Sequence, residues 1–227
     1  MQTMQSLCIG VLADTHIPHR LDRLPVTVGR IFAGVDFILH AGDLDEVSVL
    51  AELGHIAPAV AVRGNWHLHP PNRSSPHLPE TVHLYLLDQH IVLTHGLSSL
   101  GYGLILEFYA RVLGQHARLN ELMIRNLHRR FRHADVVIFG HTHHAEVKRV
   151  CGTLFINPGA VCSTPDFDER PAVALLTVHT SGAEAEIVYL DEEIPNAFEN
   201  VKHCTQHATR STCSAKPNYP WQRREAG

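Results

Sequence analysis

The chain of 227 residues lacks a surplus of positive charge and has few aromatic side chains. Its 19 lysines and arginines are outnumbered by 23 aspartates and glutamates, and aromatic residues make up 7% of the sequence. Proteins that bind nucleic acid need basic groups for the phosphates, and many also stack bases on aromatic rings. The composition therefore argues against a nucleic-acid partner.

A cysteine pattern and a long apolar run are also missing. The five cysteines are odd in number and none belongs to a C-x-x-C pair, which argues against a disulfide framework and a zinc knuckle. No segment approaches the roughly 20 apolar residues of a membrane helix. The N-terminus has no basic stretch before its first apolar run, so a secretory signal is not indicated. We therefore expect a cytoplasmic protein that does not contact a membrane.

Histidine, in contrast, is abundant, with 19 copies. Imidazole serves acid–base catalysis, metal ligation and pH sensing, so a surplus of it points to one of these uses. A hydrophobic content of 44% is ample for a folded domain with a core of its own.

The hydrophobic pattern alternates short buried strands with helices. Strands are predicted at residues 7–13, 36–40 and 58–62, with helices at 22–33 and 45–53 between them. This order is typical of parallel βαβ units. Further along, the pattern predicts hairpins at 82–94, 146–156 and 172–190, helices at 104–113 and 119–131, and a strand at 134–139.

The domain is predicted to occupy residues 1–195 and to include a helical insertion at 97–133. Residues 196–227 are polar and without periodicity, which indicates a poorly ordered tail. Packing alone is the favoured role of the insertion, with a lid or a dimer surface as the alternatives. The oligomeric state is left open, a homo-oligomer included.

Metal-binding residue types follow the predicted strands, one group after each. They are Asp14 and His16, Asp43, Asn65, His95, and the pair His141 and His143. The carboxyl ends of strands in an open α/β sheet share one edge, so these side chains are expected to converge there.

Four imidazoles, two carboxylates and one amide are too many ligands for a single tetrahedral zinc. They suit two divalent ions that share a bridging carboxylate. No thiolate is present in the set, so Mn²⁺, Ni²⁺, Fe²⁺, Co²⁺ and Zn²⁺ remain as choices. Two such ions can clamp a phosphoryl group and hold a hydroxide for in-line attack.

Two other site types fit less well. Metallo-β-lactamase-like hydrolases carry H-x-H-x-D-H, and residues 141–146 have no aspartate at the required place. A dinucleotide-binding loop is excluded because residues 13–19 contain no glycine.

The ordered motifs resemble those of the calcineurin-like metallophosphoesterases, most closely the small prokaryotic YfcE-like phosphodiesterases. The matching blocks are Asp14-Thr15-His16, Gly42-Asp43, Gly64-Asn65, Thr94-His95-Gly96 and Gly140-His141-Thr142-His143. The resemblance spans about residues 7–191. It implies an α/β fold in which two mixed sheets, flanked by helices, form a four-layer αββα sandwich around a binuclear metal centre.

The resemblance also implies how the ligands divide. One metal would be held by Asp14, His16, Asp43 and His143, and the other by Asp43, Asn65, His95 and His141. Asp43 would bridge the two ions and count as catalytic, and Asn65 and His95 would also contact substrate. The loop Asn157-Pro158-Gly159 is expected to shape the site without ligating a metal.

One departure concerns the acid that protonates the leaving group. Where larger members of the superfamily have Gly-Asn-His, this chain has Gly64-Asn65-Trp66, and an indole cannot act as a general acid. His67 is the candidate acid, although a neighbouring position need not point the same way.

These observations predict a binuclear-metal phosphoesterase that hydrolyses a small phosphate ester with metal-bound hydroxide as nucleophile. A phosphodiester substrate is preferred to a phosphomonoester, and Mn²⁺ is the first choice of metal. The alternative is a non-catalytic scaffold on the same fold, a role that the retromer's vacuolar-sorting subunit illustrates. The filled set of seven ligand positions favours the enzyme.

Overall fold

The computed structural model describes residues 5–64, 78–96, 116–162 and 169–191. These residues form two five-stranded sheets. The first sheet has the order β10–β9–β1–β2–β3, from β1 (Ser6–Leu12), β2 (Phe37–His40), β3 (Ala59–Ala61), β9 (Ala172–His179) and β10 (Gly182–Tyr189). The second has the order β4–β5–β6–β8–β7, from β4 (Thr81–Leu86), β5 (Gln89–Thr94), β6 (Val136–Ile138), β7 (Glu146–Val150) and β8 (Thr153–Asn157).

Both sheets are mixed. In the first, β1, β2 and β3 pair in parallel, and β9 and β10 continue the sheet antiparallel. In the second, β5, β6 and β8 are parallel, and β4 and β7 are antiparallel edge strands. The parallel strands of each sheet carry the candidate ligands at their carboxyl ends.

Alternating side chains give each sheet two apolar faces. Ile9 and Val11 of β1 point into one buried cluster together with Ile91 and Leu93 of β5, so the two sheets pack face to face. The intervening residues, such as Cys8 and Leu12, point the other way into a separate cluster. This layering explains why the central strands read as continuous apolar runs.

Among the described residues, three helices cover the outer faces of the sheets. Helices α1 (Val26–Ile31) and α2 (Ser48–Gly54) contribute to the cluster outside the first sheet. Helix α3 (His116–Arg130) packs its buried Met123, Ile124 and Leu127 outside the second sheet. The result is an αββα sandwich, which confirms the predicted fold class.

Two helices begin later than the sequence predicts. The first was expected from residue 22 but begins after Pro25, a residue that favours a helix start and disfavours the helical conformation in the residue before it. The second was expected from residue 45 but begins at Ser48, because Asp45 has a positive φ of 63° and cannot belong to a right-handed helix.

The structure confirms the three predicted hairpins. It also confirms the predicted strands that precede Asp14, Asp43, His95 and His141. Helix α3 confirms the second helix of the insertion, whereas the first, at residues 104–113, lies outside the described residues, as does the tail 196–227. None of the helices in the described ranges is long and apolar enough to cross a membrane.

Candidate metal centre

The candidate ligands lie in short loops that leave the carboxyl ends of four parallel strands. Asp14 and His16 follow β1, Asp43 follows β2, His95 follows β5, and His141 and His143 follow β6. Because the two sheets face each other, loops from both reach the same end of the sandwich. Groups that are distant in sequence therefore meet. For example, the backbone N–H of His141 donates a hydrogen bond of 3.1 Å to Oδ2 of Asp14, a residue 127 positions earlier in the chain.

The backbone at this end is strained in an unusual way. Five of the six candidate ligands just described have a positive φ: Asp14, His16, Asp43, His141 and His143, at values from 47° to 73°. A positive φ is uncommon outside glycine, although Asp and His tolerate it better than most residues. Such conformations persist where a functional constraint outweighs their cost, and here they turn the side chains inward.

Glycines next to the ligands leave room for them. Gly42 has a φ of 102°, and a Cβ there would lie 2.6 Å from Nδ1 of His95. A Cβ on Gly64 would lie 1.7 Å from Oδ1 of Asp43. Gly42 and Gly64 therefore have to be glycines for steric reasons, because any side chain at either position would displace a candidate ligand.

The Asp14 carboxylate is buried among imidazoles. Its Oδ1 lies 3.4 Å from Nε2 of His143 and 4.0 Å from Nε2 of both His16 and His95. Burial alone would raise the pKa of Asp14, but the charges of His143 and His95 outweigh it and hold the pKa below its usual value. Asp14 is therefore an anion with histidines around it.

His95 and Asp43 form a second close pair. Nδ1 of His95 donates a hydrogen bond to the Ala41 carbonyl oxygen at 2.7 Å, which directs Nε2 to within 3.1 Å of Oδ2 of Asp43. Burial alone would lower the pKa of His95, but the carboxylates of Asp43 and Asp14 raise it to about 9. A backbone carbonyl on one ring nitrogen is a common way to orient the other nitrogen toward a metal.

The other three candidate histidines, His16, His141 and His143, lie close to these pairs. The rings of His95 and His141 lie 5.4 Å apart, and those of His16 and His143 lie 5.6 Å apart. Burial, reinforced by the nearby His95, lowers the pKa of His141 to about 4, so its ring is neutral at pH 7 and keeps a lone pair for a ligand.

A buried polar network holds the loop that carries His141 and His143. The Thr142 hydroxyl donates to Oδ1 of Asn120 at 2.6 Å and accepts from Nδ2 of Asn157 at 2.7 Å. Nδ2 of Asn120 donates to the His144 carbonyl oxygen at 2.9 Å. The loop is thus anchored to α3 on one side and to the end of β8 on the other, and Asn157 acts on its shape, as expected.

His40 links the loops after β1 and β2. The Gly42 N–H donates to its Nδ1 at 3.2 Å, which leaves Nε2–H to donate to the Thr15 hydroxyl, also at 3.2 Å. Burial lowers the pKa of His40 to about 4, in agreement with this neutral form. His40 therefore contacts no ligand carboxylate and braces the two turns that carry Asp14 and Asp43.

The sequence pattern missed three residues that support this site. Asp45 lies 3.4 Å from Nδ1 of His16, Asn120 anchors the loop at residue 142, and Glu169 binds the ring of His144 at 2.5 Å. His144, the residue after His143, thus has a carboxylate partner of its own. Of these three residues, only Asp45 could have been suspected from the sequence, because it is an acidic residue two positions after Asp43.

Two predicted site residues, Asn65 and His67, lie outside the described residues. The other six predicted ligands are brought together by the structure. Within it, the groups Asp14–His16–His143 and Asp14–Asp43–His95 each have ligand atoms within 4.8 Å of one another. The first group contains three of the four residues of one predicted ligand set, without Asp43, and His141 belongs to neither group. The member common to both groups is Asp14, whereas Asp43 was the predicted bridge.

Two of the distances in this cluster fit a divalent cation: 3.4 Å between Oδ1 of Asp14 and Nε2 of His143, and 3.1 Å between Oδ2 of Asp43 and Nε2 of His95. Two ligand atoms that each lie about 2.1 Å from one ion are separated by about 3.0–3.4 Å. Oδ1 of Asp14 is buried and has no well-aligned hydrogen bond within the described ranges, although three imidazole nitrogens surround it. Buried carboxylates beside neutral imidazoles are the donor set of a borderline transition metal.

Comparison with known proteins agrees with the fold. The calcineurin-like phosphoesterase superfamily domain matches residues 7–181. The chain belongs to the calcineurin-like phosphoesterase superfamily. A relative in this superfamily, a probable metallophosphoesterase of Methanothermobacter thermautotrophicus, is 31% identical over 182 residues, which cover 80% of this chain and 92% of the relative.

Solved structures with a similar fold include both a sorting protein and an enzyme. Vacuolar protein sorting 29 of Cryptosporidium parvum matches with a TM-score of 0.57 and 19% identity, over 81% of this chain and 97% of that one. An archaeal phosphodiesterase matches with a TM-score of 0.50 and 20% identity, over 80% of this chain and 100% of that one. At these identities the likeness shows the fold, and function has to be argued from the site.

Proposed function

We propose that this protein is a binuclear metal-dependent phosphodiesterase. The observation that carries the proposal is the convergence of two buried carboxylates and four imidazoles at the carboxyl ends of strands from both sheets. Burying ionised groups is costly unless a partner or a metal compensates for it, so the two buried carboxylates among imidazoles support a metal site.

The proposed ligand sets are those implied by the motifs. Asp14, His16, Asp43 and His143 hold one ion, and Asp43, Asn65, His95 and His141 hold the other. The position of Asp43 Oδ2, 3.1 Å from Nε2 of His95 and 3.9 Å from Nε2 of His16, supports its role as the shared ligand. Mn²⁺ is the first candidate, with Ni²⁺, Fe²⁺, Co²⁺ and Zn²⁺ as alternatives.

When bound, two such ions polarise the phosphoryl oxygens and lower the pKa of a bound water. The protein's own contribution is orientation. The Ala41 carbonyl fixes the ring orientation of His95, and the Thr142 network holds the loop of His141 and His143, so the side chains face one another before any ligand arrives. His67 is proposed as the acid for the leaving group, and Asn65 and His95 as contacts to the ester.

The preference for diesters follows from the resemblance to YfcE-like phosphodiesterases. In addition, Trp66 stands at the position of the acid in larger superfamily members. With a weaker acid, substrates that already have good leaving groups should react best. We propose small phosphate diesters as substrates and a cytoplasmic location.

The experiment combines metal content with hydrolysis. Purified protein is analysed for bound divalent metal and is assayed with bis(p-nitrophenyl) phosphate and p-nitrophenyl phosphate in the presence of Mn²⁺ or Ni²⁺. We expect bound metal, a higher kcat/KM for the diester, and loss of both metal and activity in His141→Ala. The matched control is His55→Ala, because His55 is exposed after α2.

Two results would count against the proposal in different ways. A protein that binds metal but prefers the monoester would be a phosphomonoesterase with the same site. A protein that binds no divalent metal and hydrolyses neither ester would support the scaffold alternative.

A further inference from the structure

Asp45 is a buried carboxylate that no motif assigns. Its side chain is 2% exposed, and its Oδ2 lies 3.4 Å from Nδ1 of His16 and 2.9 Å from Nδ1 of His19. Its Oδ1 is buried and has no hydrogen-bond partner among the described residues. Leaving such an oxygen unpaired is costly, so the position of this carboxylate requires a reason.

The backbone holds Asp45 at this place. Asp45 has a φ of 63°, and a parallel bridge joins it to Ile17, the residue after His16. The backbone N–H of His16 also donates to the Asp43 carbonyl oxygen at 3.0 Å. These two backbone contacts join the loops after β1 and β2 on either side of the contact between Asp45 and His16.

The two nitrogens of His16 face different surroundings. Nδ1 faces Asp45, whereas Nε2 faces the central carboxylates, 4.0 Å from Oδ1 of Asp14 and 3.9 Å from Oδ2 of Asp43. A carboxylate beside one ring nitrogen keeps the proton there, fixes the ring orientation, and makes the other nitrogen a better metal ligand. Asp45 stands in the place where such a carboxylate belongs.

We propose that Asp45 is a positioning residue for His16, which it orients so that Nε2 binds the metal shared with Asp14 and His143. His19, whose side chain is 57% exposed, contacts the same oxygen from the solvent side and is the outer partner of the carboxylate. This inference rests on the proposed metal centre and adds to it a residue outside the ligand set.

The test is the metal affinity of Asp45→Asn. Asparagine tolerates a positive φ and keeps a side-chain oxygen, so the substitution removes the charge with little change in shape. Metal-free wild type and variant are titrated with Co²⁺, and binding is followed by the d–d absorption bands. We expect affinity for one of the two ions to fall by about 10–100-fold, the usual effect of removing an outer partner of a metal-bound histidine.

The matched control is Asp36→Asn. Asp36 is a carboxylate that accepts a hydrogen bond from the Cys8 N–H at 2.8 Å, near the opposite ends of β1 and β2. Removing the charge of Asp36 weakens this hydrogen bond and can lower the thermal stability of the metal-free protein. The substitution should leave the Co²⁺ affinity within twofold of wild type. A purely structural role for Asp45 would give the same pattern as this control.

A measurement on the wild type covers the case in which Asp45→Asn does not fold. In ¹⁵N-resolved NMR of the Zn²⁺-loaded protein, His16 should carry its proton on Nδ1 and bind through Nε2. Binding through Nδ1, or an unchanged Co²⁺ affinity in a folded Asp45→Asn variant, would overturn the inference. A wild type that binds neither Co²⁺ nor Zn²⁺ would instead refute the metal centre itself.

Discussion

Replacing Asn120 by alanine should destabilise the metal-free protein strongly, although the residue belongs to no predicted site. Asn120 is fully buried on α3, where its Nδ2 donates to the His144 carbonyl oxygen and its Oδ1 accepts from the Thr142 hydroxyl. Truncation leaves both of these groups without that partner. Each buried polar group that loses its partner costs about 1–3 kcal/mol, or about 2–6 kcal/mol for the two.

Helix propensity offsets a small part of this loss. Alanine is a better helix former than asparagine by up to about 0.7 kcal/mol, which leaves a net loss of about 1.5–5 kcal/mol. In urea, with a slope of about 2 kcal/mol per molar, the unfolding midpoint should fall by about 0.7–2.5 M. Unfolding is followed by circular dichroism in EDTA, so that metal binding does not add to stability.

The control for Asn120→Ala lies on the same helix. Arg125 is exposed, so Arg125→Ala should shift the midpoint by less than about 0.3 M because surface substitutions cost little. If Asn120→Ala also stays within that range, the network is not what holds the loop, and the reasoning from unsatisfied buried groups is wrong for this site.

Two further predictions concern the ligands themselves. Gly64→Ala should reduce metal binding and also lower the stability of the metal-free protein, because the new methyl group would lie 1.7 Å from Oδ1 and 2.4 Å from the backbone nitrogen of Asp43; a folded variant with wild-type metal content would contradict the steric argument. The raised pKa of His95, about 9, means that the metal-free ring is protonated at pH 7.5 and must lose that proton to bind a metal through Nε2. Calorimetric titration with Zn²⁺ in two buffers of different ionisation enthalpy should therefore reveal proton release at pH 7.5, and its absence would mean that His95 is not a ligand.

Other histidines of the described chain have local partners, which accounts for part of the surplus. Nδ1 of His83 lies 2.9 Å from Nε2 of His90, and Nδ1 of His90 donates to the His133 carbonyl oxygen at 3.2 Å. This chain of contacts lies on the hairpin of β4 and β5. The high histidine count indicated a metal centre, and the order of the motifs identified which histidines are the candidate ligands.

The sequence by itself determined the strands and the candidate ligands, and its resemblance to a known family implied the layers of the fold. Continuous apolar runs marked the central strands, and Asp14, Asp43, His95 and His141 follow four of these strands within three positions. Both signals are local, because strand period and turn chemistry depend on residues a few positions apart. The ends of α1 and α2 were predicted less well because one proline and one positive φ decided them.

Only the tertiary structure decided what holds the ligands in place. Asn120 reaches Thr142 from 22 positions away, His95 reaches the Ala41 carbonyl from 54, and Asp14 accepts a hydrogen bond from a residue 127 positions along the chain. Such contacts depend on how two sheets and a helix pack against one another. No local pattern encodes that packing, so Asp45, Asn120 and Glu169 became part of the site only when the folded chain brought them to it.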